Sequence, residues 1–272
     1  MNNDFQSWLT RFFEAYYRYY PVNATFIGDH RFDHRLPDYS AAGVAAMLDD
    51  AARLLKDASV IETRPLSAVE RIDKRLAEGF LRIQQWELAS PHFQRGNPSL
   101  YTGEAIFGVI SLFLTDYAPL ADRAAAAIAR MHAIGALLDQ GTHNVHEAPL
   151  AWTERALREC QGARAFLGAG IDKLAADIPA LQPALRTAAD AALAAFACYA
   201  SYLTDTLRYA QTPAPVAGPE ALDRLLREGH CLTQSADEIL AYALAKMAEA
   251  EAYLTQHAAD FGAADWREAL AA

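Results

Sequence analysis

The 272-residue sequence has few cysteines, which are Cys160, Cys198 and Cys231. They are odd in number and far apart, and none belongs to a Cys-x-x-Cys pair. We therefore expect neither a disulfide framework nor a cysteine zinc site. A free cysteine usually behaves as a small buried apolar residue. The sequence therefore predicts that all three thiols lie in the core.

Basic charge and long apolar runs are also scarce. There are 24 Lys and Arg residues against 34 Asp and Glu, a formal net charge of −10, which argues against a nucleic-acid partner. The longest weakly polar stretch, residues 191–203, is too short for a bilayer, which requires about 18 apolar residues. The first eight residues show no basic and no apolar region of a signal peptide. We expect no membrane partner and a cytoplasmic location.

Strand patterns are missing as well, since no runs rich in Val, Ile and Thr alternate with polar residues. Instead, 58 of the 272 residues are alanine, the strongest helix former. Apolar residues recur at helical spacing, and two Ser-x-x-Glu capping boxes, at Ser67 and Ser235, mark helix starts. The predicted helices cover residues 4–20, 41–58, 67–89, 103–114, 117–138, 153–165, 184–210, 219–228 and 238–257, with a loop at 22–40. The sequence predicts a single all-α domain over residues 1–272, a multi-helix array or bundle of about eight to ten helices.

Common catalytic motifs are absent from the sequence. There is no Gly-x-Ser-x-Gly elbow, no phosphate-binding loop and no Gly-x-Gly-x-x-Gly fingerprint. We interpret the paired carboxylates at Asp49-Asp50 and Glu249/Glu251 as solvated faces and Glu238 as a capping residue. The aromatic stripe of the first helix is typical of a core-facing helix. The sequence therefore assigns no catalytic, cofactor-binding or metal-binding residue and no cofactor.

The segment from Gly28 to Tyr39 is the most suggestive polar cluster. His30 and His34 are four residues apart, so on a helix both imidazoles would share one face and could bind one metal ion. The additional oxygen ligands would come from Asp29, Asp33 and Asp38. Gly28 and Pro37 flank the segment and make that helix doubtful, and alternating Asp, His and Arg also form local ion pairs and turns. Both interpretations stay open, and we assign no metal site.

A second histidine cluster contains His143, His146 and Glu147. A zinc-peptidase helix needs His-Glu-x-x-His, with two ligands one turn apart and the glutamate as general base. Here His146-Glu147 is followed by Pro149 and by no second histidine. A loop is the simpler interpretation, and the roles of these histidines stay undetermined by the sequence.

Several ordered segments of the chain resemble one bacterial family. They are Phe12-Phe13, residues 16–20, Pro21-Val-Asn-Ala-Thr-Phe-Ile-Gly28-Asp-His30, Leu36-Pro-Asp-Tyr-Ser40, Asn97-Pro98-x-x-Tyr101, residues 123–138, Pro149-Leu-Ala-Trp-Thr153, Gly218-Pro-Glu220, Leu225-Leu226 and Thr233-Gln-Ser-Ala-Asp-Glu-Ile239. In order and spacing they resemble the bacterial "domain of unknown function 885" family over residues 5 to about 255.

The resemblance implies a fold similar to the N-terminal half of helical zinc metallopeptidases of the thimet-oligopeptidase and angiotensin-converting-enzyme type. Members of the family are about twice as long as this chain, and their zinc motif, of the His-Glu-x-x-Pro-Gly-His type, lies in the C-terminal half. No position here matches that motif. The resemblance therefore implies a non-catalytic helical portion that forms one wall of a substrate channel and is inactive alone.

Two other functions remain open from the sequence. One is a stand-alone helical module that binds peptides or proteins without a peptidase role, and the other is a small-molecule enzyme that uses residues 29–38. A chain that folds as one half of a longer protein would leave exposed the apolar face on which the other half packs. We therefore expect a homodimer or a partner domain to cover such a face, and a peptide is the expected ligand.

Overall fold

The computed structural model describes residues 3–213 and 217–271, which form two compact units divided after residue 216. The helices of the first unit are Asn3–Tyr19 (α1), Pro21–Ile27 (α2), Ala41–Ser59 (α3), Ala68–Ala89 (α4), Pro98–Ile110 (α5), Leu120–Asn144 (α6), Leu150–Ala165 (α7), Ile171–Asp177 (α8) and Gln182–Asp205 (α9). The helices of the second unit are Pro219–Arg224 (α10), Ala236–His257 (α11) and Trp266–Ala271 (α12). The all-α class is confirmed for the described residues, where twelve α-helices exceed the eight to ten predicted.

The capping residues begin their helices as the sequence predicts. The Ser67 hydroxyl accepts a hydrogen bond from the Glu70 amide, and the Glu70 carboxylate accepts one from the Ser67 amide at 2.9 Å. Ser235 and Glu238 form the same reciprocal pair at the start of α11. These contacts satisfy amides that have no partner inside the helix.

Several helix boundaries differ from the prediction, among them those of α2, α6 and α7. Helix α2 occupies the first part of the predicted loop and begins at Pro21, because the fixed φ of proline suits the first position of a helix. Thr153, where the sequence predicts the start of a helix, is a buried residue within α7, which begins at Leu150. Helix α6 continues to Asn144, past the predicted end at residue 138.

The first unit has two hydrophobic clusters. The larger one contains the centre of α5, α6, α7 and α9, where α6 and α9 pack along each other through small side chains such as Ala127 and Ala192. Alanine-rich faces allow such close helix packing. The smaller cluster joins α1, α3 and α4, and the Trp8 indole there donates to the Leu54 carbonyl at 2.9 Å. The core prediction for the aromatic stripe is confirmed for Trp8 and its neighbours, whereas Phe13 is exposed.

The prediction of three core thiols is wrong for two of them. Cys160 is buried, but Cys198 is exposed and Cys231 is partly exposed. Cys198 lies between the buried Phe196 and Tyr199 on α9, so helical periodicity turns it to the opposite face. Burial raises the pKa of the Cys160 thiol to about 12, which keeps it a neutral apolar side chain.

Gly141 gives a test of the α6 packing. A Cβ at this position would lie 2.8 Å from Cγ of Tyr101 and 2.9 Å from the hydroxyl of Tyr199. We expect Gly141→Ala to lower the free energy of unfolding by about 1–3 kcal/mol, as measured in urea. Gly162→Ala in α7 is the matched control, because no described residue lies within 4 Å of a Cβ added there, apart from the helix's own backbone and chain neighbours. This variant should raise stability by about 0.5–1 kcal/mol. Equal changes in the two variants would contradict the packing described here.

Candidate functional site

Arg130 on α6 organises the polar loop between α2 and α3. Its guanidinium is fully buried and donates hydrogen bonds to the carbonyls of Arg35, Gly108 and Pro21, the first at 2.9 Å and the last at 3.1 Å. It also donates to the Thr25 hydroxyl at 2.7 Å. Burial lowers the pKa of Arg130 to about 10, so the group is still charged at neutral pH. One side chain thus satisfies backbone carbonyls from three segments of the chain.

Asp33 lies next to this arginine, and its carboxylate oxygens already have protein partners. They accept hydrogen bonds from the hydroxyls of Thr25 and Tyr117, both at 2.6 Å. The Nδ1 atom of His30 lies 3.2 Å from one oxygen of Asp33, and the imidazole stacks on the Tyr117 ring with 3.4 Å between centroids. His30 and Asp33 are therefore parts of a paired polar network.

The remaining histidines singled out from the sequence do not converge. His34, His143 and His146 are exposed, and Nδ1 of His143 pairs with the Asp139 carbonyl of its own helix at 2.8 Å. Within residues 3–213 and 217–271, no three His, Cys, Asp or Glu side chains are placed to hold a metal ion.

The local acids of the loop form short-range pairs. Asp29 pairs with Arg31 at 2.6 Å, and Asp38 accepts from the Ser40 amide at 2.9 Å. Of the two interpretations of this segment, the structure shows the one with local ion pairs and turns.

The paired carboxylates differ in their environments. Asp49, Glu249 and Glu251 are exposed, as predicted for solvated faces. Asp50 is buried, so that prediction is wrong for this residue. It accepts a hydrogen bond from the Tyr19 hydroxyl at 2.6 Å and pairs with two arginines, because this face of α3 packs toward α1.

A third polar group, which the sequence does not reveal, contains Tyr16, Tyr20, Tyr39, Glu87 and Glu104. We call it the carboxylate–tyrosine cluster. The rings of Tyr16, on the last turn of α1, and Tyr20, directly after α1, lie 5.1 Å apart. Tyr16, Tyr20 and Tyr39 lie in segments that carry the family resemblance, but no motif marks Glu87 or Glu104, which come from two other helices.

Helix α4 presents Glu87 to this cluster. Phe80, Gln84 and Glu87 follow at i, i+4 and i+7 and share one helix face. The Phe80 ring lies 5.0 Å from the Tyr16 ring, and the Gln84 amide donates to the Tyr20 hydroxyl at 3.0 Å. Glu87 is one turn further along this face.

Helix α5 presents Glu104 from another direction. Tyr101 lies one turn before Glu104, and its ring packs edge-on against the ring of Tyr39 at 5.7 Å. One turn after Glu104, a Cβ at Gly108 would lie 3.9 Å from Cδ of Arg130. Glu104 is therefore on the face of α5 that lies between Tyr39 and Arg130.

The negative charges of the Glu87 and Glu104 carboxylates are not balanced by a direct partner among the described residues. Each is partly buried, and neither carboxylate accepts a hydrogen bond or forms an ion pair in the part of the chain that the structure describes. Burial raises the pKa of Glu104 to about 7 against the opposing charge of Arg130, and burial also raises the pKa of Glu87. A carboxylate in such surroundings can exchange a proton near neutral pH or hold a cation.

Tyr39 is fixed in place, but its hydroxyl is unpartnered. The Tyr39 amide donates to the Gln140 side chain at 2.7 Å, and the Tyr39 carbonyl accepts from Asn144 at 2.8 Å. The side chain is 1% exposed, yet its hydroxyl has no hydrogen-bond partner among the described residues. Burial raises the pKa of Tyr39, and the charges of Glu104 and Glu87 raise it further, so the hydroxyl lies within electrostatic reach of both.

The second unit presents a different candidate, an exposed apolar surface. Helix α11 has no buried residue, although Leu240, Leu244, Met247 and Leu254 follow the spacing of a core-facing stripe. An open groove of about 640 Å³ continues beside it, lined by residues that include Leu254, Phe261, Trp266 and Leu270. We call the stripe together with Phe261 and Leu270 the apolar surface.

Comparison with known proteins gives a family and one similar fold. The family model described as "Bacterial protein of unknown function (DUF885)" matches residues 21–272. A solved structure, described as that of a "putative lipoprotein of unknown function" from Shewanella oneidensis, is similar with a TM-score of 0.79 and 22% identity. The similarity covers 93% of this chain and 47% of that one, so the chain spans about half the length of that protein. No curated protein matches the sequence.

The lipoprotein description contradicts the cytoplasmic location that the sequence predicts, and that prediction is wrong. In the described parts of the chain, none of the helices has the combined length and apolarity needed to cross a bilayer.

Replacement of Arg130 tests its organising role. Arg130→Met keeps most of the side-chain volume but leaves several buried carbonyls and the Thr25 hydroxyl without their donor. We expect the free energy of unfolding to fall by about 3–5 kcal/mol in urea denaturation. Arg158→Met on the exposed side of α7 is the control and should change stability by less than about 0.5 kcal/mol. A small effect at Arg130 would show that the loop is held by other contacts.

Glu104 makes stability depend on pH. Its pKa rises from 4.5 in the unfolded chain to about 7 in the folded chain, so raising the pH through this interval destabilises the fold. Glu104→Gln removes the cost of ionising this buried group. The free energy of unfolding of the variant, relative to that of the natural chain, should therefore rise by about 2–3 kcal/mol between pH 4.5 and pH 8. Urea denaturation at both pH values measures the gain, with Glu147→Gln, an exposed position, as control. A gain that is the same at both pH values would refute the buried-carboxylate interpretation.

Proposed function

The chain belongs to the bacterial family of unknown function DUF885, and on this basis we propose that it is the non-catalytic helical part of a two-part protein. In this proposal it forms one wall of a substrate channel, and a second polypeptide region docks on the apolar surface. The single observation that carries the proposal is the exposure of that surface.

The apolar surface is costly for a chain in water. Leu244 is 57% exposed, Met247 67% and Phe261 79%. Burying apolar area is favourable by about 25 cal/mol per Å², and contiguous exposed apolar patches commonly mark interaction sites. The helix that carries the stripe has 22 residues and lacks any buried side chain. A partner that covers the stripe would convert it into a helix–helix interface.

The proposed occupant is a polypeptide region about as long as this chain. The similar solved structure carries slightly more than half of its own length outside the matched region, which is enough for a second set of helices. A second region of that kind would account for the apolar surface, whereas a second copy of this chain would leave the difference in length unexplained.

The proposed role of this chain is binding rather than chemistry. The zinc motif implied by the resemblance to helical metallopeptidases has no match in the sequence. The catalytic groups of such a two-part protein would therefore come from the second region. The first unit would supply side chains that face the substrate. The carboxylate–tyrosine cluster is the candidate for these side chains.

Hydrogen exchange tests the two-part proposal. Genomic DNA on the 3′ side of codon 272 is translated in all frames, and the longest in-frame product is expressed beside the 272-residue chain. We expect the DNA to encode a second helical region with a His-Glu-x-x-Pro-Gly-His-type motif. Residues 236–257 should then exchange their amides at least about tenfold more slowly in the longer product.

Two surface variants give the control for hydrogen exchange, and light scattering gives the oligomeric state. Leu244→Asp should weaken the protection of α11 in the longer product, whereas Val60→Asp, at another exposed apolar position, should leave it unchanged. A stop codon directly after codon 272 together with a monomeric chain would overturn the proposal. A stable dimer with protected α11 would overturn it in favour of a second copy as the occupant.

A further inference from the structure

We propose that a cavity between α3, the end of α4 and the loop that follows α4 binds the C-terminal end of a peptide whose last residue is apolar. The cavity has a volume of about 450 Å³, and Tyr39 and Asn144 complete its lining. It lies entirely in the first unit and contains no residue of the apolar surface. The inference therefore goes beyond the two-part proposal, and either one can fail without the other.

Part of the cavity lining is aliphatic. Val44 and Leu48 follow at i and i+4, so both lie on one face of α3. Leu88, on the last turn of α4, also lines the cavity and is buried. A branched aliphatic side chain of a ligand would lose contact with water against these three residues, which favours its binding there.

Two side-chain amides of the lining supply hydrogen-bond acceptors. Asn144 uses its amide hydrogens to donate to the Tyr39 carbonyl at 2.8 Å and the Tyr101 hydroxyl at 2.9 Å, which leaves Oδ1 as its free end. Gln94 donates from Nε2 to the Leu88 carbonyl at 2.7 Å, and its buried Oε1 atom has no partner in the part of the chain that the structure describes. Because a buried acceptor without a hydrogen bond is costly, Gln94 is an independent sign of a missing donor.

Arg95 supplies a positive charge at the exposed edge of the cavity. Its Nε and Nη2 atoms donate to the carbonyls of Ser90 and Ala89 at the end of α4, which hold the guanidinium in place. Within residues 3–213 and 217–271, no carboxylate forms an ion pair with Arg95. Its Nη1 group is therefore available to an anion, and a carboxylate is a good acceptor for a guanidinium.

The loop that carries Gln94 and Arg95 is held in place by its own contacts. The Gly96 amide donates to the Phe93 carbonyl at 3.2 Å, and the Gln94 carbonyl accepts from the Tyr101 hydroxyl. Groups that are fixed before a ligand arrives lose little conformational freedom on binding, which favours affinity. The cavity is therefore a preformed site rather than a gap between mobile segments.

The three kinds of group together match the end of a peptide. The terminal carboxylate would accept from Arg95, the N–H groups of the last residues would donate to Asn144 and Gln94, and the last side chain would pack on the aliphatic lining. A fatty acid would satisfy Arg95 but leave both amide acceptors without a donor. No Asp or Glu is among the residues that line the cavity, so a metal ion or an amine finds no carboxylate there.

Calorimetry with acetyl-Ala-Ala-Leu, which has a free C-terminal carboxylate, tests the site in the 272-residue chain. We expect saturable binding of one peptide per chain. The same peptide with a C-terminal amide should bind at least about tenfold more weakly, because Arg95 then lacks its anionic partner. Isocaproate keeps the branched side chain and the carboxylate but has no N–H group, and it should also bind at least about tenfold more weakly.

Two variants locate the binding in the cavity. Ala45→Trp places an indole at the exposed edge of the cavity and should abolish binding, whereas Ala52→Trp, at an exposed position of α3 outside the cavity, should leave it unchanged. Arg95→Met should remove the difference in affinity between the acid and the amide, whereas the exposed Arg158→Met changes the net charge equally and should preserve it. Circular dichroism checks that each variant is folded.

Three results would overturn the proposal. They are no saturable binding of the acid peptide, equal affinity of the natural chain for the acid and the amide, and unchanged binding in Ala45→Trp. Since all measurements use the 272-residue chain alone, they leave the two-part proposal untouched.

Discussion

A buried guanidinium holds the first unit together, because Arg130 reaches segments that lie far apart in the sequence. Its hydrogen bonds to Arg35 and Pro21 span 95 and 109 residues. Without such a donor, the turns between α2 and α3 would bury carbonyls that have no partner in the helices. Tyr39, at the end of the same loop, is held by two other side chains of α6, since its amide donates to Gln140 and its carbonyl accepts from Asn144.

Two features of the chain are unusual for a folded protein, namely buried polar groups without partners and an exposed apolar stripe. In the first unit, Glu87 and Glu104 are partly buried without a hydrogen-bond or ion-pair partner in the described residues, beside the unpartnered hydroxyl of Tyr39. In the second unit, α11 exposes an apolar stripe that would suit a core. The first feature is electrostatic, because burial raises the pKa of both carboxyl groups, whereas the second is hydrophobic.

The histidine loop shows how a polar cluster can be structural. The spacing of His30 and His34 fits a metal-binding helix, but the chain forms a short turn there and Asp33 is occupied by Thr25, Tyr117 and His30. His34 is exposed. Sequence spacing alone cannot distinguish these outcomes, because the partners of Asp33 lie on other elements of the fold.

Local sequence alone determined most of the helices. Helical spacing of apolar residues and the capping boxes at Ser67 and Ser235 depend on neighbours within a few residues, so their signals are readable in one dimension. Tertiary structure alone decided that Asp50 is buried and that the charges of both Glu87 and Glu104 act on Tyr39. Each of these depends on which helix faces pack together, and that packing is set by contacts between residues distant in the chain.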